Sequence, residues 1–219
     1  MSDRISTIFT LLERHIPDAQ IELEYDDSPY ALLVAIVLSA QSTDVQVNRV
    51  TEALFRAAPT ARDMVELGYD RLCEYINSVG LYKTKAKNIV ALSKILVEQY
   101  DGEVPATKEE LMALPGVGLK SANLVLNVLH GEPTMPVDTH IFRVATRLGL
   151  SHMNTRDRMS ADLETTLPNH LTQDIMRLAH HLLVLHGRYT CTARKPKCHS
   201  CPIAQLCSSK DKLIKSEGS

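Results

Sequence analysis

The chain has 219 residues, enough for one large or two small domains, and its 44% hydrophobic and 23% charged residues are ordinary for a globular protein. With no Trp and only three Phe, the core must be aliphatic. A formal net charge of −2 argues against a broad, unspecific nucleic-acid binder, so any such role must rest on local patches. The longest apolar run, Tyr30 to Ala40, is far short of the roughly 20 residues a membrane span needs. The first residues enter a charged amphipathic pattern without an uninterrupted apolar stretch, so no secretory signal is expected.

In chain order the pattern predicts helix after helix. Ile5, Ile8, Phe9, Leu11, Leu12 and Ile16 mark a first amphipathic helix ended by Pro17. Ser28 is a predicted N-cap with Pro29 at the first helical position, and Tyr30 to Ser39, apolar on every side, reads as a buried central helix. Thr43 or Asp44 caps a third helix closed by Pro59. Two short helices are expected around Ala61–Leu67 and Asp70–Asn77, then a long one from Lys83 to Tyr100. Thr107 with Glu110 forms a predicted capping box. Helices follow over Leu119–His130, Thr139–Leu148, Asp157–Leu167 and Asp174–His186. No alternating strand pattern of useful length occurs, so the expected fold is all-α. The terminal helix and the cysteine tail are expected to pack together, since neither has a core of its own.

The tail carries Cys191-x6-Cys198-x2-Cys201-x5-Cys207. Four soft, anionic thiolates at such spacing suit one iron–sulfur cluster or one zinc, with His199 as a possible competing ligand. Paired disulfides are the bland alternative. The fifth cysteine, Cys73, lies among apolar positions and is expected to be a small buried hydrophobe.

Upstream, Thr107–Ala113, Pro115-Gly116-Val117-Gly118 and Leu119–His130 form two helices joined by a tight turn. Gly116 and Gly118 would allow backbone angles that a Cβ forbids, and the N–H groups opening the second helix would favour a phosphate. An ordinary αα-hairpin is the plainer reading. Lys120 sits in the first turn of that second helix, where the positive end of the helix dipole opposes an ammonium and favours the neutral amine a nucleophile needs. The plain alternative is a surface lysine that meets a phosphate or solvent. Asp138 is a good N-cap for the helix starting at Thr139, and its carboxylate could also take a proton or stabilise a developing sugar cation. Basic patches occur at Lys83, Lys85 and Lys87, at Arg143 and Arg147, and at Arg188, Arg194, Lys195 and Lys197.

These residues closely resemble the bacterial endonuclease III family. The likeness rests on Leu114–Asn123, on Val137-Asp138-Thr139-His140-Ile141-Phe142-Arg143, and on His186-Gly187-Arg188-Tyr189-Thr190-Cys191 with the later cysteines. It extends to Leu38–Asp44 and Gly80-Leu81-Tyr82. The resemblance implies a bifunctional base-excision repair enzyme acting on double-stranded DNA with damaged pyrimidines or abasic sites. It implies an N-glycosylase for oxidised or saturated pyrimidines and a lyase that cuts 3′ to the abasic site by β-elimination. Lys120 would attack C1′ and form a Schiff base, and Asp138 would assist by charge stabilisation and proton transfer. Gln41 and Leu81 would fill or wedge the gap left by the flipped nucleotide. Gly116, Gly118, Arg143, Arg194, Lys195 and Lys197 would also meet DNA.

The family's cluster is four-iron four-sulfur, which favours iron–sulfur over zinc at Cys191, Cys198, Cys201 and Cys207. The implied fold has two helical lobes with the DNA cleft between them. One is a six-helix barrel over residues 21–133, with the helix–hairpin–helix at about 107–130. The other joins residues 1–20 to 134–219 and includes the cluster loop, 191–207. Lys120 and Asp138 would face each other across the cleft. The resemblance further implies a monomer in the bacterial cytoplasm, working on the nucleoid, with no membrane partner. Leu119 stands where many relatives have a basic residue, and Ser121 replaces a common threonine. Two rivals are a monofunctional adenine or thymine mismatch glycosylase, against which Lys120 and the end at Ser219 argue, and a non-catalytic DNA-binding iron–sulfur protein.

Overall fold

The structure, a computed structural model, describes residues 3–210 and 212. Among them every regular element is helical: α1 (Arg4–His15), α2 (Pro29–Ser39), α3 (Asp44–Ala57), α4 (Ala61–Ile76), α5 (Tyr82–Gln99), α6 (Lys108–Ala113), α7 (Leu119–His130), α8 (Thr139–Leu148), α9 (Arg156–Thr166) and α10 (Gln173–Tyr189), with three single 3₁₀ turns. The all-α expectation holds. The two short helices predicted around Ala61 and Asp70 are the halves of α4, which is kinked at Gly68 (φ 74°, ψ 173°). No described helix is long and apolar enough to cross a membrane. The chain divides into two compact units, Glu22–His130 and Met1–Ile21 with Gly131–Ser219.

The first unit holds α2 to α7. At its centre lies α2, whose residues Tyr30 to Leu38 are all buried. Ser28 opens it by accepting the Ala31 N–H at 3.2 Å, and Pro29 takes the first helical position. Helices α3, α5 and α7 pack against it. One polar group enters this apolar centre at Tyr30. Ser93 Oγ gives its proton to the Ile89 carbonyl at 2.7 Å, so the Tyr30 phenol, 2.6 Å away, is the donor to Ser93. Burial pushes that phenol well above its ordinary range, which keeps it neutral. The other helices begin as their caps dictate. Thr43 accepts the Gln46 N–H, Thr60 and Asp63 exchange side-chain and backbone bonds in a capping box, and Thr107 accepts the Glu110 N–H while its hydroxyl donates to the Glu110 carboxylate at 2.5 Å.

The second unit packs α1 and α8 on α10, and α9 on α8. Its core joins Ile8, Phe9 and Leu12 to Ile141, Val144, Leu148, Leu182 and Leu183, and Met135 and Val137 are buried with them. The cysteine tail is drawn onto this core through Leu206, Cys191, Cys201 and Cys207. Arg4 fastens it there, donating to the carbonyls of Leu206 (2.8 and 3.0 Å) and Leu148 (2.6 Å).

The α8–α10 crossing is close because position 187 has no side chain. A Cβ on Gly187 would lie 3.0 Å from both His140 Cβ and Val144 Cγ2 and 3.3 Å from the His140 carbonyl. Gly187→Ala should therefore force the helices apart, at about 1–3 kcal/mol as for other overpacked sites. The measurable result is a thermal midpoint lower by several degrees. An unchanged midpoint would show that this crossing relaxes freely.

Candidate active site and cluster loop

Lys120 is the second residue of α7 and is exposed. Its flanking residues on the helix, Ala122 to Asn127, are buried, so the helix is anchored and the amine is presented on its first turn. No described side chain pairs with the ammonium. The turn before it is held by backbone bonds from Leu114 N–H to the Leu111 carbonyl and from Val117 N–H to the Leu114 carbonyl.

The two glycines of this turn differ. Gly116 has φ +84°, and a Cβ there would come within 2.9–3.2 Å of the Asn88 side chain on α5. Gly118 has no such conformation, and a Cβ there would meet nothing within 4 Å. The expectation that both glycines serve backbone angles thus holds for Gly116 alone. The protein leaves the space outside Gly118 open, as close approach of a bound backbone or phosphate would require.

Asp138 caps α8, its Oδ1 accepting the Ile141 N–H at 2.8 Å, and among the described residues Oδ2 takes no hydrogen bond. The carboxylate is half-buried, with one oxygen fixed and the other available. Its position is set by the extended segment before it, in which Thr134 to Val137 are buried. Glu164 Oε1 accepts the Met135 N–H at 2.8 Å, and Ser160 Oγ donates to the Met135 carbonyl at 2.5 Å and lies 3.2 Å from Glu164 Oε1. Ser160 and Glu164, at i,i+4 on α9, share one face, and they lie in a stretch that carried no functional signal in the sequence.

Gln41 and Leu81, expected to enter DNA, are both exposed, Leu81 at 59%. Both adopt left-handed backbone conformations (φ 56° and 58°), uncommon for residues with a Cβ.

The basic patches differ in exposure. Lys83 and Lys87 are exposed, but Lys85 is 5% exposed, and burial lowers its affinity for a proton from the ordinary lysine range. It is therefore no phosphate contact. Arg143 is half-buried. Its guanidinium donates to the Cys191 carbonyl (3.0 Å) and the Gly187 carbonyl (2.7 Å) and lies 3.3 Å from His140 Nδ1, so it clamps the start of the cysteine loop. Arg147, one turn on, donates to the Thr192 and Ala193 carbonyls at 2.8 and 3.0 Å and to Cys191 Sγ at 3.4 Å. With the Lys197 N–H on the Thr190 carbonyl and the Thr192 hydroxyl on the Lys195 carbonyl, these bonds fix the loop's main chain. Arg194, Lys195 and Lys197 are all exposed on it.

All five described cysteines are free, which removes the disulfide reading. Cys73 is half-buried rather than part of the core. Cys191, Cys198, Cys201 and Cys207 line one small cavity of about 30 Å³, along with His186, Leu148 and Ile203. His199 is exposed and does not line it. Among the described residues no three His, Cys, Asp or Glu side chains gather closely enough to hold a single metal ion. Four sulfurs spread round an apolar cavity fit a multi-atom iron–sulfur cluster better than one zinc, whose sulfur ligands sit only about 2.3 Å from the ion. His186 closes the wall, its Nε2 3.8 Å from Cys201 Sγ. Burial, and secondarily His15, push this imidazole down to about 4, so it is neutral at physiological pH.

Residues 34–169 match the HhH-GPD superfamily of base excision DNA repair proteins, and residues 191–207 match the iron–sulfur binding domain of endonuclease III. Endonuclease III of Rickettsia felis is 47% identical over 203 residues, covering 93% of each chain, and that of Escherichia coli K12 is 46% identical over 206 residues, covering 94% of this chain and 95% of its own. The structure of a trapped covalent endonuclease III–DNA intermediate superposes with a TM-score of 0.85 at 40% identity, covering 95% of this chain and 97% of the other. The chain belongs to the endonuclease III family. It is a DNA glycosylase and abasic-site lyase with an iron–sulfur cluster bound through its C-terminal cysteines.

The two glycines of the hairpin provide a direct check on their separate roles. Gly116→Ala should lower stability by about 1–3 kcal/mol through backbone strain and the Asn88 contact. Gly118→Ala should leave the thermal midpoint where it is and weaken binding to a duplex with an abasic-site analogue. A loss of stability in the second variant would mean that the fold itself needs that glycine.

Proposed function

We propose that Lys120 is the nucleophile of this enzyme and Asp138 its assisting carboxylate, in the removal of oxidised pyrimidines from double-stranded DNA followed by cleavage of the strand. The observation that carries this reading is an unpartnered lysine amine on the first turn of α7, directly after a glycine turn whose outer side is open. The Lys120 nitrogen bonds to C1′ of an extruded nucleotide as the C1′–N bond to the base breaks, the electron pair departing with the base. Loss of a proton from nitrogen and opening of the sugar ring give a Schiff base. Removal of a C2′ proton then expels the 3′ phosphate by β-elimination, and water frees the lysine. Asp138 suits the charge-stabilising and proton-moving part because its cap bond uses one oxygen only. A carboxylate fixed at Oδ1 needs no reorganisation when positive charge develops on the sugar.

The duplex is held by other parts of the chain. The α7 N-terminus and Gly118 suit one phosphate, and Arg194, Lys195 and Lys197 suit others without reading sequence. Gln41 and Leu81 suit the gap that opens when the damaged nucleotide leaves the stack. When bound, the cluster cross-links the four cysteines and so fixes the basic loop between them. The enzyme binds damaged DNA, and we place its work in the bacterial cytoplasm, on the nucleoid.

Borohydride reduction in the presence of an abasic-site oligonucleotide should trap a covalent protein–DNA adduct. The adduct should vanish in Lys120→Ala, whereas Asp138→Asn should keep binding and lose most turnover. An undiminished adduct without Lys120 would assign the nucleophile elsewhere. A second measurement concerns the loop. Replacing Lys195 and Lys197 by Ala should weaken binding to all duplexes alike and reduce the slope of log K against log salt by about one unit per lost contact. An unaltered slope would place those lysines away from phosphate.

A further inference from the structure

Lys85 is a buried lysine on the apolar side of α5. It projects from α5 one turn beyond Leu81, and its own N–H donates to the Leu81 carbonyl at 3.0 Å. Its Nζ donates to the Leu38 carbonyl at 2.8 Å and to Ser42 Oγ at 3.0 Å. Leu38 belongs to the last turn of α2, whose carbonyls have no partners within the helix and form the negative end of its dipole, where a cation is favoured. Among the described residues no carboxylate pairs with this ammonium. Two of its three donors thus meet neutral oxygen acceptors at the junction of two turns.

Those turns carry Gln41 and Leu81, and they lie against each other. A Cβ on Gly80 would stand 3.5 Å from the Gln41 carbonyl and 3.6 Å from Ser42 Oγ, and Gln46 Nε2 donates to the Ser78 carbonyl across the same junction. Both exposed residues hold the left-handed conformation, which persists only where surrounding bonds over-determine it. We infer that Lys85 is the positioning residue for this pair: its buried ammonium ties the end of α2, the Gln41–Ser42 turn and the base of Leu81 into one rigid block, so that both side chains enter the duplex together. This rests on the reading of Gln41 and Leu81 as the residues that fill the opened stack.

The test uses the full, cluster-loaded chain and a duplex with 2-aminopurine beside an abasic-site analogue, whose fluorescence reports unstacking. Lys85→Met keeps the length of the side chain and removes the ammonium. It should slow unstacking at least tenfold and reduce kcat for base removal by a similar factor. The salt slope of binding should stay unchanged, because no phosphate contact is lost. Ser42→Ala, which deletes only one of the acceptors, should show the same defect in milder form and serves where Lys85→Met does not fold. On a Gln41→Ala/Leu81→Ala background, Lys85→Met should add nothing.

Normal unstacking in Lys85→Met, or in Ser42→Ala where that variant decides, would overturn the inference. So would an equal further loss on the double-variant background, or a slope lowered by about one unit, the mark of a phosphate contact. Normal unstacking by Gln41→Ala/Leu81→Ala itself would instead refute the reading of those two residues, and the role of Lys85 with it.

Discussion

An eleven-residue helix without a polar face has to be enclosed, and α2 imposes that constraint on the unit Glu22–His130. Helices α3, α5 and α7 surround it, and their apolar stripes are oriented by it. Burying a helix end also buries carbonyls that the helix cannot satisfy, and an unmet buried acceptor costs about as much as a lost hydrogen bond. Lys85 meets the Leu38 carbonyl. The same enclosure that makes the core thus demands a buried donor at the end of α2, and next to that end lie the turns of Gln41 and Leu81. Helix α7, which carries Lys120, is placed by packing against the same helix.

The other unit solves a different problem, since its tail has little apolar material. Its loop is held through main-chain carbonyls by three arginines. Arg4 takes Leu206 and Leu148, Arg143 takes Cys191 and Gly187, and Arg147 takes Thr192 and Ala193. A guanidinium suits this because its fork presents several donors in fixed geometry and can satisfy neighbouring carbonyls together. With the carbonyls occupied, the side chains of Arg194, Lys195 and Lys197 are left outward. Cluster ligation and arginine clamping act on the same short segment, so the cysteines need not carry its shape alone.

The helices were legible because periodicity and caps agree. Ser28 with Pro29, Thr60 with Asp63, and Asp138 each stand where a helix starts. The cysteine spacing and the glycine turn were legible as chemistry, since few other uses need those residue types together. Lys85 was misread as one of three clustered lysines. Positions two apart on a helix point about 200° from each other, so Lys85 cannot share a face with Lys83 and Lys87. Instead it falls in register with Ile89, Leu92 and Leu96, the buried stripe of α5, and that register was the available signal. Arg143 and Ser160 are harder cases. Their partners are backbone groups 48 and 25 residues away, and main-chain acceptors leave no trace in side-chain pattern.

On the proposed roles of Lys120, Gln41 and Leu81, the division of labour between amine and wedge follows from exposure. Lys120 is open to solvent, with no partner among the described residues, so no paired group there orients the amine toward one base over another. Discrimination by an amine of this kind must come before the bond to C1′ forms, in the choice of which nucleotide leaves the stack. Unstacking costs a few kcal/mol and least for a damaged base, so the energy available for selection is the difference between those costs. A wedge exploits that difference only if it is stiff, because a yielding side chain would retreat from an intact stack and a weakened one alike. Two adjoining turns in strained conformations, cross-tied by a buried cation and by the Gln46–Ser78 bond, are stiff in that sense. Selectivity on this account resides in α2, α5 and their connecting turns, several helices removed in sequence from the residue that makes the bond.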